Sequence, residues 1–134
     1  RDDLVLIDDY AHHPVELKAT ISAVKELYPK MKVTGVFQPH LYTRTRDFAD
    51  DFARSLEMLD ELVLMEIYPA REKPIPGITS SMLMQKIKLE RKVLAAGAEL
   101  AEVIASGPRE VVLMMGAGDI ELFVEPVKYA LEFS

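Results

Sequence analysis

The sequence predicts a doubly wound α/β domain, a mostly parallel sheet with helices on both faces. Three observations carry that reading. Short apolar runs recur along the 134-residue chain, at 4–8, 32–37, 61–67, 92–95 and 111–115. Apolar residues in several of the intervening segments fall three to four apart, which is the helical period. The runs themselves are continuous instead of alternating with polar residues, as expected of strands buried on both faces. At this length a single domain, residues 1–134, can bury a core of its own.

The elements follow in order. The first run leads into DDYAHHP, and Pro14 stands where a first helical residue is expected. Leu17, Ile21, Val24 and Tyr28 then give the first helix its apolar face. After the second run, Phe48, Phe52, Leu56 and Leu59 mark another helix, with Asp47 expected as its N-cap. The third run, 61–67, opens into YPAREKPIPG, where Pro69, Pro74 and Pro76 stiffen a loop longer than a plain connector needs. Thr79 or Ser80 is expected to cap a weaker helix over 79–88. Two more cover 97–105 and 120–132, the last divided or kinked at Pro126.

Composition narrows the function classes. The net charge is −6 and no cluster of Lys and Arg is interleaved with aromatics, so no nucleic-acid partner is expected. No apolar run reaches membrane-spanning length and no signal-peptide pattern opens the chain, so no membrane partner is expected either. Cysteine is absent, which removes disulfides and thiolate metal sites and is compatible with a reducing cytoplasm. RDDLVLIDD enters a strand within a few residues and without an initiator Met, as expected of a piece of a longer protein.

In open α/β sheets, ligands gather at the carboxyl ends of the strands. Three polar or glycine-rich segments fall there: DDYAHHP (8–14), QPHLYTRTRD (38–47) and GAGD (116–119). Asp8 and Asp9 are acceptors suited to ribose hydroxyls or to the water shell of a metal; otherwise they cap a turn. His12, His13 and His40 could form a metal set, although adjacent histidines before a proline tend to point apart. The alternative is that one histidine caps the helix while the other packs or hydrogen-bonds locally. Arg44 lies where TRTRD opens a helix, and backbone N–H groups joined by a guanidinium make a pocket for a carboxylate or phosphate. Arg46 and Arg71 read as solvated.

The glycines of GAGD permit a close turn or backbone approach but do not compose GxGxxG. G-x-x-x-x-G-K-[ST] occurs nowhere, so a domain handling ATP would borrow its phosphate loop from elsewhere. A receiver domain of two-component signalling offers a second reading. It too has an acidic pair after its first strand, and Glu66 in DELVLMEIYPA (60–70) would imitate its phospho-acceptor, making a pseudo-receiver that binds a protein partner. Against this, VVLMMGAGD (111–119) lacks the Lys that ends a receiver's last strand.

Taken together, DDYAHHP, FQPHLYTRTRDFADDFA, EIYPAREKPIPG and GAGDI resemble, in this order and across nearly the whole chain, the C-terminal domain of the Mur ligases of peptidoglycan synthesis. The alanine-adding branch is the most similar, with another member of the family as the alternative. The resemblance implies a three-domain ligase of the bacterial cytoplasm. Its central domain would hold the ATP phosphates and Mg²⁺, and its N-terminal domain the uridine nucleotide. ATP would phosphorylate the carboxylate of UDP-N-acetylmuramate, and the amine of L-alanine would attack the acyl phosphate. This chain is then the C-terminal amino-acid-binding domain, inactive alone.

Residue by residue, the resemblance implies that Asp9 accepts hydrogen bonds from the ATP ribose and that Tyr10 lies beside the nucleotide. His12 and Arg44 would face the alanine and its carboxylate, with His40 and the backbone of Gly116, Ala117 and Gly118 nearby. It assigns no firm catalytic residue and no metal ligand to this chain. Two positions depart from the family pattern. Leu41 stands where Arg is frequent, and Ala11 where Gly is frequent. The first removes a potential carboxylate partner, so the clamp would rest on Arg44 and His12.

Overall fold

The computed structural model of the chain describes residues 4–133, so Arg1, Asp2 and Asp3 of RDDLVLIDD lie outside the described residues. The strands are β1 (Val5–Asp9), β2 (Val33–Phe37), β3 (Glu61–Leu64), β4 (Lys92–Leu94) and β5 (Val111–Met115). The helices are α1 (Pro14–Leu27), α2 (Tyr42–Asp47), α3 (Ala49–Leu56), α4 (Ser80–Lys86), α5 (Leu100–Ala105) and α6 (Val124–Glu132). Turns of 3₁₀ helix at Gly97–Glu99 and Asp119–Phe123 lead into α5 and α6. Among the described residues no helix is long and apolar enough to cross a membrane.

The five strands form one sheet in the order β1-β5-β2-β3-β4, with every neighbouring pair parallel. The pleat sends alternate side chains to opposite faces. Val33, Phe37, Leu62, Leu64, Val111 and Leu113 meet α1, α3 and α4 on one face. Val36, Val63, Met65, Val112 and Met114 meet α5 and α6 on the other. Continuous apolar strands thus fill two cores. Burying one such side chain contributes about 1.5–3 kcal/mol, whereas an exposed ion pair such as Arg54–Asp51 contributes about 0–1 kcal/mol. The two apolar layers therefore hold the fold.

The strand order removes the pseudo-receiver. A receiver's sheet runs 2-1-3-4-5, with its first strand and acidic pair inside the sheet. Here β1 is an edge strand, and Asp8 and Asp9 end it in solvent. Glu66, offered as the acceptor mimic, is exposed, and its carbonyl takes a 3.4 Å bond from Gln38 Nε2.

Three local expectations also change. Asp47 does not cap a helix; it ends α2 and pairs with Arg46, and the chain bends at Phe48 before α3 starts. The expected helix was thus two shorter ones. Pro126 does not kink α6, because the regular helix starts only at Val124 and Pro126 falls in its first turn. There the missing N–H costs nothing. The third strand stops at Leu64, short of the expected 67. Thr79 does cap α4, accepting from the Met82 N–H at 3.0 Å.

This topology places the rim. From β1 the chain moves across the sheet through β2 and β3 to β4, then returns over the opposite face through α5 and inserts β5 between β1 and β2. The connections after β1 and β5 leave toward opposite faces, so a crevice opens at the carboxyl ends of β1, β5 and β2. DDYAHHP, GAGD and QPHLYTRTRD are brought side by side there.

Candidate functional site

At the end of β1, the Ala11 N–H donates to Asp9 Oδ1 at 2.8 Å, and the Thr20 hydroxyl reaches the same oxygen at 3.5 Å. Asp9 therefore does form the turn that was its simpler reading, but with one oxygen. Among the described residues Oδ2 has no partner. The Asp9 carbonyl accepts from the Gly116 N–H at 3.1 Å, which ties the GAGD turn to β1. Tyr10 is exposed, and a hydrogen bond to Glu121, followed by the Glu121 charge, raises its phenol pKa. Asp8, Asp9, Tyr10, Gly116, Ile120 and Glu121 line a pocket of about 170 Å³ at this edge.

The three histidines divide. His13 caps α1: its Nδ1 accepts from the Val15 N–H at 3.4 Å, while Glu16 accepts from the His13 and His12 N–H groups at 3.0 and 3.2 Å. The His13 ring also packs on Phe48, with centroids 4.9 Å apart. His12 turns the other way, toward His40, with ring centroids 5.9 Å apart. Among the described residues no three His, Asp or Glu side chains converge to hold a metal ion.

Arg44 sits beside them. Its guanidinium donates to His40 Nδ1 at 2.9 Å and reaches the His40 carbonyl at 3.5 Å. The helix start expected to receive a ligand's carboxylate is already taken. Glu72, in the proline loop, accepts from the Thr43 N–H at 3.1 Å and from the Thr43 hydroxyl at 2.5 Å. Those bonds, the hydroxyl bond foremost, hold the Glu72 carboxyl below its ordinary pKa. A carboxylate near α2 would meet the Arg44 guanidinium and the His40 ring in place of that helix start.

Burial first, then the charges of Arg44 and His12, lowers the His40 pKa against the opposing pull of Glu72. The unfolded chain thus takes up this proton at a higher pH than the folded one. The His40 contribution is fully present above about pH 6.5 and is lost as the pH falls below it. The urea midpoint of this chain should therefore decline between about pH 7 and pH 5.5, and His40→Gln should remove part of that decline. Glu16 and Glu72, both lowered, act only below about pH 4.3 and do not confuse the window. Parallel curves for the two proteins would show that His40 is not shielded.

A sequence model of the family described as "Mur ligase, glutamate ligase domain" matches residues 1–118. The chain belongs to the Mur ligase family. It is 62% identical over 130 residues to the UDP-N-acetylmuramate–L-alanine ligase of Parabacteroides distasonis, covering 97% of this chain and 28% of that protein. With the ligase of the same name from Christiangramia forsetii it shares 57% over 131 residues, covering 98% of this chain and 29% of the relative. Among solved structures it is similar to the UDP-N-acetylmuramate-alanine ligase of Thermotoga maritima, with a TM-score of 0.75 and 28% identity over 96% of this chain and 26% of that one. The chain spans under a third of the length of these relatives.

In this Mur ligase domain, sequence reasoning missed several residues that build the rim. Gln38 donates to Asp119 Oδ1 at 2.5 Å and accepts from the Ile120 N–H at 2.9 Å, pinning GAGD to the end of β2. Tyr68 exchanges backbone bonds with Pro39 and Leu41, and its ring lies 5.6 Å from His40. Gly118 is what lets Tyr68 in, since a Cβ there would stand 2.5 Å from the Tyr68 ring. Gly116 holds φ at +143°, a region that side chains resist. Its amide is spent on Asp9, whereas among the described residues the Ala117 and Gly118 amides have no acceptor. A glutamine directly after an apolar run was the available signal for Gln38, which the fold buries. Nothing in the sequence pointed to the pairing of Glu72 with Thr43.

Proposed function

We infer that this chain is the C-terminal, amino-acid-binding domain of a three-domain ligase that joins L-alanine to UDP-N-acetylmuramate with ATP. The observation that carries the reading is the meeting of His12, His40 and Arg44 beside Asp9 and Tyr10 on one rim, in a chain so similar to alanine-adding relatives. Asp9 Oδ2 is open to accept from a ribose hydroxyl, and Tyr10 flanks the same small pocket. Arg44 and the imidazoles would take the alanine, with the Ala117 and Gly118 amides beside them. Among the described residues no three His, Asp or Glu side chains converge on a cation; in this reading the central domain would hold Mg²⁺ and the ATP phosphates, and the N-terminal one the uridine nucleotide. Closing this rim over the cleft would align the amine with the acyl phosphate and keep out the water that would hydrolyse it.

This chain alone, given ATP, Mg²⁺, alanine and UDP-N-acetylmuramate, should release no phosphate above background, while the full-length protein should release phosphate in step with ligation. Turnover by the isolated chain, or a full-length protein that ignores alanine, would overturn the reading.

A further inference from the structure

The two rim histidines are fixed in opposite tautomers by partners that each have only one hydrogen-bonding role. A carbonyl oxygen can only accept and a guanidinium can only donate. His12 Nδ1 lies 2.8 Å from the Tyr10 carbonyl, so it carries the proton and the neutral ring presents a bare Nε2. His40 Nδ1 lies 2.9 Å from the Arg44 guanidinium, so it accepts and its proton sits on Nε2. With centroids 5.9 Å apart, the two rings offer one acceptor and one donor on a scale that suits the ammonium and carboxylate of a single α-amino acid.

The geometry points to His12 as the base of the ligation step, with His40 and Arg44 fixing which way round the amino acid lies. His40 Nε2–H and the guanidinium donate to the carboxylate. That leaves the ammonium at His12 Nε2, which can accept from it but could not donate to a carboxylate. This deepens the proposed function and rests on it. His12 Nε2 takes one proton from the ammonium, which frees the lone pair with which the amine attacks the acyl carbon. As the nitrogen–carbon bond forms, the nitrogen becomes far more acidic and its second proton goes to the departing phosphate. The C–O bond to phosphate breaks and phosphate leaves with that electron pair. Glu16 Oε1, 3.6 Å from His12 Nδ1, stabilises the imidazolium so formed. The groups facing His12 are Glu16 on α1, the Tyr10 carbonyl and His40. Those facing His40 are Arg44 on α2, His12, Tyr68 and Glu72 of the proline loop.

Two measurements test this. In this chain, ¹⁵N NMR of the imidazoles at neutral pH should show His12 protonated on Nδ1 and His40 on Nε2. The same tautomer in both rings would overturn the assignment, whatever the substrate. In the full-length enzyme, His12→Asn keeps an amide donor near the Tyr10 carbonyl but has no basic nitrogen. The kcat for alanine should fall by about 10²-fold or more, the size of a general-base contribution, with the alanine KM and thermal midpoint little changed. The acidic limb of the kcat profile should flatten. Hydroxylamine, whose ammonium form is much more acidic, should lose far less. A variant that instead raises the alanine KM at constant kcat, or loses equally with both nucleophiles, would make His12 a mere contact. A wild-type enzyme that does not ligate alanine would sink the functional reading, and the NMR result would still stand on its own.

Discussion

Arg44→Lys in the full-length enzyme should lower kcat/KM for alanine by roughly ten- to a hundred-fold, equivalent to about 1.5–3 kcal/mol for a charge-assisted bond. The guanidinium spends one nitrogen on His40 Nδ1, at 2.9 Å, and among the described residues the rest of its planar fork has no partner, so it would be available to a carboxylate. Lys has a single ammonium and cannot hold the ring and a carboxylate in the same geometry. Little nearby can compensate, because Leu41 is apolar and the α2 amide at Thr43 is occupied by Glu72. KM values for ATP and the muramyl nucleotide should barely move, and the thermal midpoint should fall little. Arg46→Lys should do much less, since Arg46 is exposed and already bonded to Asp47 at 2.8 Å. Steady-state kinetics varying each substrate in turn decides it. Intact alanine kinetics in Arg44→Lys, or greater damage from Arg46→Lys, would move the carboxylate clamp to another residue.

Replacing Asp9 should act on the other ligand. Asp9→Ala should raise the ATP KM by about ten-fold or more, the loss of one hydrogen bond to a charged group. That variant also removes the acceptor of the Ala11 N–H, so the turn carrying His12 would loosen. Asp9→Asn separates the two effects. Its Oδ1 can still take the Ala11 and Thr20 bonds while the charge is gone. With Oδ1 kept on those bonds, the amide NH₂ stands where the open Oδ2 was and cannot accept from a ribose hydroxyl, so the ATP KM should again rise by about ten-fold or more, now with alanine kinetics unchanged. If Asp9→Asn spares ATP and damages alanine use, the two ends of DDYAHHP have been assigned in reverse.

Much of the fold was legible along the chain, because buried parallel strands and amphipathic helices write their periods locally. All five runs became strands, and Leu17, Ile21 and Val24 became the inner face of α1. What went wrong locally was punctuation. The break at Phe48 was invisible because tertiary contact with His13 holds its ring, and Pro126 was misjudged because a 3₁₀ turn shifted the helix start. The sequence by itself also placed chemistry-bearing residue types at the ends of the first two strands: two acids closing β1 and a histidine after it, then a histidine and an arginine after β2.

Only the tertiary structure decided how those residues are used. Inserting β5 between β1 and β2 brought GAGD to Asp9, and no local pattern encodes that neighbour order. Glu72 took the start of α2 from 29 residues away, and Gln38 reached Asp119 across 81. The tautomers inferred for His12 and His40 depend on one carbonyl and one guanidinium that only the fold brings to those rings. Hydrogen-bond roles are set by distance and direction, and a sequence carries neither until the chain has closed on itself.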